Sequence, residues 1–190
     1  DLLEKILQKS PIFDPRVRIG PGTGLDCAVI ENGDTCLVLK SDPITFIADN
    51  IGWYAVQINV NDIVTTGATP KWMLCTLLLP EKNTTQEMVE KLSNQLFAAC
   101  AQYRISLIGG HTEITFGIDR PIVCATLIGE VSKNKLISPQ GAKTGDAILL
   151  TKGVPIEGSA IIAREFPEKL VGFLSSQEID EAANYLYKPG

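Results

Sequence analysis

The sequence has little of what a nucleic-acid or membrane partner requires. Lysine and arginine number 17 against 22 acidic residues, which leaves a formal net charge of −5. Because phosphate backbones select basic surfaces, this balance argues against a nucleic-acid partner. No apolar run approaches the roughly 20 residues of a membrane span, and no basic-then-apolar leader is present. We therefore expect no membrane partner either.

The five cysteines form no metal or redox motif. They are odd in number, none belongs to a C-x-x-C pair, and each lies in an apolar run, where a free thiol behaves as a small hydrophobe. Such cysteines are typical of a reducing compartment, so we expect a cytoplasmic protein. Cys27 adjoins a candidate acidic site, but its apolar surroundings favour a structural thiol over a catalytic one.

Hydrophobic periodicity predicts an α+β fold. The predicted helices span residues 1–9, 53–67, 84–103, 158–166 and 178–187, and the predicted strands span residues 27–30, 35–39, 71–79, 104–108, 121–131 and 146–151. Because these elements do not alternate strictly, an α+β sandwich is favoured over a doubly wound sheet. Polar, glycine-rich sequence marks a boundary, so we predict a first domain over 1–137 and an incomplete second domain over 138–190.

The segment Gly109-Gly110-His111-Thr112-Glu113 gathers polar groups at the end of the fourth predicted strand. Two glycines let the backbone approach a ligand closely and adopt torsions that other residues avoid. Three side chains with oxygen or nitrogen atoms follow at once, an arrangement common in phosphate and metal sites. His111 is the single histidine and could instead be structural, and Glu113 could point outward from an edge strand.

Three upstream aspartates lie in similar settings. Asp26 ends a glycine-rich loop, Asp42 follows the second predicted strand, and Asp62 shares a helix face with Asn59. Singly, each could be a turn or solvated surface residue, and Lys40 could meet a phosphate or merely end its strand. If the aspartates converge, each pair repels by about 4 kcal/mol at 4 Å and an effective dielectric of 20. A hard cation such as Mg²⁺, which prefers oxygen ligands, would relieve that repulsion.

Several motifs, in order, resemble those of the aminoimidazole ribonucleotide synthetase (AIR synthase) superfamily. Residues 24–29 resemble its G-x-D-x-A-V segment, and residues 40–42 resemble its T-T-D or S-D element. Residues 59–70 are similar to its N-x-x-D-I-x-x-x-G-A-x-P helix, which is the most specific match. Residues 109–113 resemble its G-G-[DEH]-T loop, and residues 145–150 resemble the first strand of its second domain.

The resemblance implies an architecture, cofactors and site residues. It implies a mixed sheet with helices on one face, homodimerisation through that sheet, the start of a second α+β domain, and ATP and Mg²⁺ as cofactors. The site positions that it implies are Asp26, Asp42 and Asp62 for the metal, Gly24, Asn59, Gly109, Gly110 and Thr112 for the cofactor, and His111 and Glu113 for catalysis.

The resemblance also implies a reaction class. Residues 152–160 resemble HypE-like and AIR synthase-related proteins, although HypE usually carries G-G-D-T-K where this chain has G-G-H-T-E. We expect a HypE-like enzyme of the hydrogenase maturation type. It would activate an oxygen-type or amide acceptor, on an unidentified small molecule or peptide, by phosphoryl transfer from ATP. The alternatives are a small-molecule kinase similar to thiamine-monophosphate kinase, or a nucleotide-binding dimerisation module without turnover. Selenophosphate synthetase is a further relative.

Overall fold

The computed structural model describes residues 2–45 and 49–190, which form two compact units. The first unit is Asp1–Gly141 and the second is Ala142–Gly190. The sequence predicted a boundary between residues 137 and 138, four residues before the observed division. None of the helices in the described ranges is long and apolar enough to cross a membrane.

The first unit contains six strands and three α-helices, and the second contains three short α-helices, within the described residues. The strands are β1 (Val17–Ile19), β2 (Ala28–Asn32), β3 (Thr35–Ile44), β4 (Thr69–Pro80), β5 (Ser106–Thr115) and β6 (Ile122–Ser132). The helices are α1 (Leu2–Leu7), α2 (Ile51–Thr65), α3 (Gln86–Gln102), α4 (Ile156–Glu165), α5 (Pro167–Leu170) and α6 (Ser176–Ala183). The predicted α+β class is confirmed.

The six strands form one mixed sheet in the order β1-β2-β3-β6-β4-β5. Neighbouring strands are antiparallel except β4 and β5, which are parallel. A parallel pair needs a long crossover connection, and α3 supplies it here. β5 therefore lies at one edge of the sheet, three strands away from β3.

One face of this sheet carries the core of the first unit. Val123, Ala125 and Leu127 on β6 are fully buried, while the residues between them are only half-buried, as expected for a strand whose side chains alternate between two faces. α2 packs on β3 and β6 above the buried face, and α3 packs against α2 and β5. The predicted arrangement of helices on one face of a mixed sheet is confirmed.

Two glycines allow α2 to lie close to its neighbours. A Cβ atom at Gly52 would come within 2.6 Å of the backbone oxygen of Leu92 on α3. A Cβ atom at Gly129 on β6 would come within 2.6 Å of the Ile63 side chain on α2. A larger side chain at residue 52 would push α2 away from α3, and one at residue 129 would push α2 away from β6. The two glycines therefore permit the close packing of α2.

Two sequence predictions about strands were wrong. Residues 109–113 do not follow a strand, because β5 continues through them to Thr115 and pairs in parallel with β4. Residues 146–151 form no strand, and Ile148 is 99% exposed. A strand requires a hydrogen-bonded neighbour. β4 provides one for β5, whereas no residue in the described ranges pairs with 146–151.

Candidate functional site

Three aspartates from separate segments surround the ammonium group of Lys40. Its Nζ atom lies 2.8 Å from Asp62 Oδ2, 3.3 Å from Asp42 Oδ2 and 3.7 Å from Asp26 Oδ1. Asp62 belongs to α2, Asp42 belongs to β3 along with the lysine, and Asp26 precedes β2. The structure therefore brings the three predicted metal ligands together, with a lysine that the sequence reasoning left unassigned at their centre.

The two-residue period of β3 explains why Lys40 and Asp42 face the same neighbour. Cys36 and Val38 precede them on the same face of the strand and are fully buried beneath α2. Asp62 lies near the end of α2 and reaches this face from above. The same alternation, read from the sequence, could have paired Lys40 with Asp42, but the element was predicted to end at residue 39.

The cluster has a formal charge of −2, because three carboxylates face one ammonium group. The Lys40 side chain is only 10% exposed. Burial opposes its positive charge, but hydrogen bonds and charges from Asp62 and Asp42 prevail and raise the pKa of Lys40. Burial raises the pKa of Asp62 against the pull of Lys40, and the charges of Asp42 and Asp26 add to that rise. The surplus negative charge makes this site attractive to cations.

The chemistry of the cluster fits a magnesium ion, since carboxylate oxygens are its preferred protein ligands. The observed distances, however, are those between carboxylate oxygens and the ammonium nitrogen of Lys40. Magnesium–oxygen bonds measure about 2.0–2.1 Å, and in residues 2–45 and 49–190 no three histidine, cysteine, aspartate or glutamate side chains are arranged to hold a metal ion. Binding would require the carboxylates to move inward and Lys40 to move out. The metal assignment of Asp26, Asp42 and Asp62 stays a prediction.

Asn59 is fully buried one helical turn before Asp62 on α2. Its Nδ2 donates a hydrogen bond to the carbonyl oxygen of Ala55 at 2.8 Å, while its buried Oδ1 has no partner among the described residues. An unsatisfied buried acceptor costs about 1–3 kcal/mol. Folding alone gives no reason to keep an asparagine here, so a role at the neighbouring site, as predicted from the sequence, stays a hypothesis.

The loop before β2 depends on a glycine next to the cluster. Gly24 has φ of +75°, in the left-handed region that favours glycine. Two residues later Asp26 is 74% exposed, far more than the other two aspartates. A pocket of about 180 Å³ lies beside Asp26, lined mostly by apolar side chains, with Thr65 and Thr66 at the end of α2 and Ser138 as its polar residues. The left-handed backbone at Gly24 thus lies two residues before the most accessible carboxylate of the cluster.

Cys27 lies next to Asp26 and is buried. Burial raises the pKa of its thiol to about 11, and the negative charge of Asp62 contributes to this rise. At neutral pH the group is a protonated thiol, which is a poor nucleophile. This chemistry supports the sequence interpretation of Cys27 as a structural residue.

The segment 109–113 lies apart from the aspartate cluster within one chain. Three inter-strand steps of about 4.8 Å separate β3 from β5, which gives roughly 14 Å across the sheet. His111 Nε2 lies 3.2 Å from Glu113 Oε2, and both side chains are at least half exposed. Gly109, Gly110 and Thr112 line a separate pocket of about 310 Å³ against α3. The predicted catalytic and metal residues therefore do not meet in a single chain.

The model of the AIR synthase related protein, N-terminal domain, matches residues 24–131, which is more than half of the chain. The chain belongs to the AIR synthase-related family. The family predicted from the sequence motifs is thus confirmed, and the matched region contains Lys40, all three aspartates of the cluster and the segment 109–113.

Two curated proteins similar to this chain carry names that indicate different activities. The putative hydrogenase expression/formation protein MJ0676 of Methanocaldococcus jannaschii is 30% identical over 153 residues, covering 76% of this chain and 45% of the relative. Thiamine-monophosphate kinase of Aquifex aeolicus is 27% identical over 159 residues, covering 80% of this chain and 46% of the relative. The chain thus spans about half the length of the curated relatives it matches.

A solved structure shares the fold over nearly the whole chain. The structure described as AaThiL complexed with AMPPCP and TMP superposes with a TM-score of 0.71 at 23% identity. The match covers 97% of this chain and 56% of that chain. At this level of identity the likeness establishes the architecture alone, and it confirms the predicted AIR synthase-like fold.

Proposed function

We propose that the protein is a Mg²⁺-dependent, ATP-binding enzyme that activates an oxygen-type or amide acceptor by phosphoryl transfer. The convergence of Asp26, Asp42 and Asp62 is the observation that carries this proposal. Carboxylates from a loop, a strand and a helix meet around Lys40, which neutralises only one of their three negative charges. One relative adds support: it is named thiamine-monophosphate kinase, and the AaThiL structure that shares the fold contains AMPPCP, an analogue of ATP.

In this proposal the three aspartates hold Mg²⁺, which would neutralise phosphate charge during phosphoryl transfer. Asp42 and Asp62 lie on a strand and a helix that pack against each other, so the backbone that carries them is fixed before any ligand binds and only their side chains need to adjust. Asp26 lies on the exposed loop and can adjust to a nucleotide. Phosphoryl transfer depends mostly on such positioning and on electrostatic neutralisation, with little covalent chemistry from the protein.

We keep His111 and Glu113 as the proposed acid–base pair, and Gly109, Gly110 and Thr112 as cofactor-side residues. The contact between His111 and Glu113 allows a proton to be held between two exposed side chains. Because β5 lies roughly 14 Å from β3, this pair would contact a part of the bound ligand that lies away from the aspartate cluster.

The HypE-like, hydrogenase maturation type of activity is our preferred assignment within the family. It is supported by residues 152–160, which resemble HypE-like sequences, and by the 30% identity to MJ0676. The thiamine-monophosphate kinase type would instead transfer the phosphoryl group to a small molecule. The two differ in product: an activated amide that reacts further with release of ADP and phosphate, or a stable phosphorylated metabolite.

The test measures Mg·ATP binding by titration calorimetry and then product formation with two acceptors, a carboxamide-bearing peptide and thiamine monophosphate. The intact protein should bind ATP only with Mg²⁺ and should release ADP and phosphate faster with the peptide. Phosphorylation of thiamine monophosphate would overturn the HypE-like assignment. Tight binding without turnover on any acceptor would indicate a non-catalytic module, and no binding of Mg·ATP would overturn the proposal entirely.

The sheet face away from α2 and α3 supports the proposed homodimer. We call it the open sheet face. Its side chains are mainly apolar and only partly covered, and they include Leu37, Leu39, Trp72, Leu74, Leu78, Cys124 and Ile128. No helix in the described part of the first unit covers them. A second copy of the same face would bury these side chains, as the family resemblance implies.

A charge on the open sheet face should prevent dimerisation. Leu74 is 40% exposed at the middle of β4, so Leu74→Glu would place a carboxylate in the proposed interface without disturbing the helix-covered core. We expect a dimer for the wild type and a monomer for Leu74→Glu in sedimentation velocity. Phe13→Glu is the control, since Phe13 is 92% exposed and lies before β1. A monomeric wild type, or a dimeric Leu74→Glu variant, would contradict the proposed interface.

A further inference from the structure

Lys40 occupies the position that a bound cation would take in the aspartate cluster. Its ammonium group contacts all three carboxylates, at 2.8, 3.3 and 3.7 Å, and its side chain is nine-tenths buried. The other lysines in ion pairs described by the structure each contact one carboxylate and are more exposed; Lys133, for example, pairs with Glu31 at 2.7 Å and is 38% exposed. A buried lysine shared by three acids has a different role from a surface ion pair.

We propose that Lys40 is an internal counter-cation that holds the three carboxylates together without metal and competes with the divalent cation for their oxygens. This inference rests on the proposed function, in which the same carboxylates hold Mg²⁺. The inference adds that Lys40 controls metal binding, because a divalent cation can bind these oxygens only when the ammonium group leaves them.

The geometry supports competition rather than joint occupancy. The ammonium group donates hydrogen bonds to Asp62 Oδ2 and Asp42 Oδ2 and forms an ion pair with Asp26 Oδ1, so it occupies the oxygens that point toward the centre of the cluster. A divalent ion bound to those oxygens would lie beside a buried ammonium group, and the two like charges would repel strongly at low dielectric.

Competition also explains how metal and nucleotide binding would be linked. Free Mg²⁺ must displace the ammonium group of Lys40 without providing another anion to pair with it. Mg²⁺ that arrives with a polyphosphate brings its own oxygen ligands and offers the displaced lysine a new anionic partner. We therefore expect the resting site to bind the free divalent ion weakly and the metal–nucleotide complex well.

The first experiment measures Mn²⁺ binding without nucleotide by electron paramagnetic resonance. Lys40→Met removes the competing charge, so we expect Mn²⁺ to bind at least about tenfold more tightly than to the wild type. Lys133→Met loses the same charge from a single surface pair and should bind Mn²⁺ as the wild type does. Lys40→Arg keeps a cation in the cluster and should retain weak binding.

A second measurement uses only the wild-type chain and so does not depend on the folding of a variant. Acetylation by an amine-reactive ester, followed by mass spectrometry, should modify Lys40 slowly and Lys133 quickly. Mn²⁺ at a concentration where paramagnetic resonance shows it bound should raise the rate at Lys40 and leave Lys133 unchanged.

Three outcomes would overturn the inference. They are equal Mn²⁺ affinity for the wild type and Lys40→Met, an equal gain in Lys133→Met, and a Lys40 acetylation rate that bound Mn²⁺ does not change. Failure to bind Mg·ATP in calorimetry would count against the proposed function instead. Because the Mn²⁺ experiments contain no nucleotide, the two failures can be told apart.

Discussion

Gly110→Ala is expected to detach β5 from the sheet and to lower the free energy of unfolding by about 3 kcal/mol or more. A Cβ atom at this position would lie 1.8 Å from the backbone oxygen of Cys75 on β4 and 2.6 Å from its carbonyl carbon. Backbone atoms cannot rotate away as a side chain can, so β4 and β5 must separate. Urea denaturation followed by circular dichroism gives the stability, and amide hydrogen exchange shows whether β5 has lost its protection.

Gly109→Ala is the matched control for this clash. Gly109 and Gly110 have φ of +157° and +153°, so an alanine is strained by the backbone at either position. At Gly109, however, the nearest atom to a new Cβ is the Leu74 side chain at 3.4 Å, an ordinary contact. The difference between the two variants therefore isolates the clash with Cys75. Equal losses of stability would show that backbone strain alone explains both, and would contradict the close approach of β4 and β5.

The fate of the segment 109–113 shows how far sequence patterns determine strands. Consecutive glycines weaken a strand and usually mark its end, which is why the fourth strand was predicted to stop at residue 108. Here the parallel partner β4 comes so close that residue 110 can have no side chain, and the glycine permits pairing. Residues 146–151 show the reverse, because an apolar run cannot form a strand without a neighbour. Both outcomes depend on the partner segment, which local sequence does not specify.

The long elements were predictable for a different reason. α2 is apolar over much of its surface and α3 has an apolar face at helical spacing, and both patterns can be read from the sequence without knowing the neighbouring elements. The observed bounds of α2, Ile51–Thr65, differ from the predicted 53–67 by two residues at each end. The observed helix includes Gly52, whose close approach to α3 only the folded structure reveals.

The acidic residues of the candidate site could be predicted from the sequence, but their arrangement in space could not. Motifs identified Asp26, Asp42 and Asp62, because acidic residues in glycine-rich or polar settings stand out in the sequence. The central position of Lys40 depends on β3 extending to Ile44, five residues beyond its predicted end, so that the lysine faces α2. The separation of His111 from the aspartates depends on strand order, which places β6 and β4 between β3 and β5. Neither fact can be obtained from motif spacing.

Asp62→Asn is expected to weaken Mg·ATP binding by about tenfold or more while changing the stability of the fold little. Asp62 makes the shortest contact with Lys40, and its loss removes a charged ligand from the proposed metal site. The cost to folding is small because the cluster carries two surplus negative charges, and Asp42 and Asp26 still pair with Lys40. Burial and the neighbouring carboxylates already raise the pKa of Asp62, so a neutral side chain is tolerated there.

Titration calorimetry with and without Mg²⁺ measures the binding, and thermal unfolding without metal measures the stability. Asp34→Asn is the control, since Asp34 is exposed in the turn between β2 and β3 and its charge can be removed without touching the cluster. Unchanged Mg·ATP affinity in Asp62→Asn would remove this residue from the proposed site. Collapse of the fold would show that Asp62 serves mainly to neutralise Lys40. A selective loss of Mg²⁺-dependent binding, with the melting temperature retained, is the result that separates a ligand-binding carboxylate from a structural one.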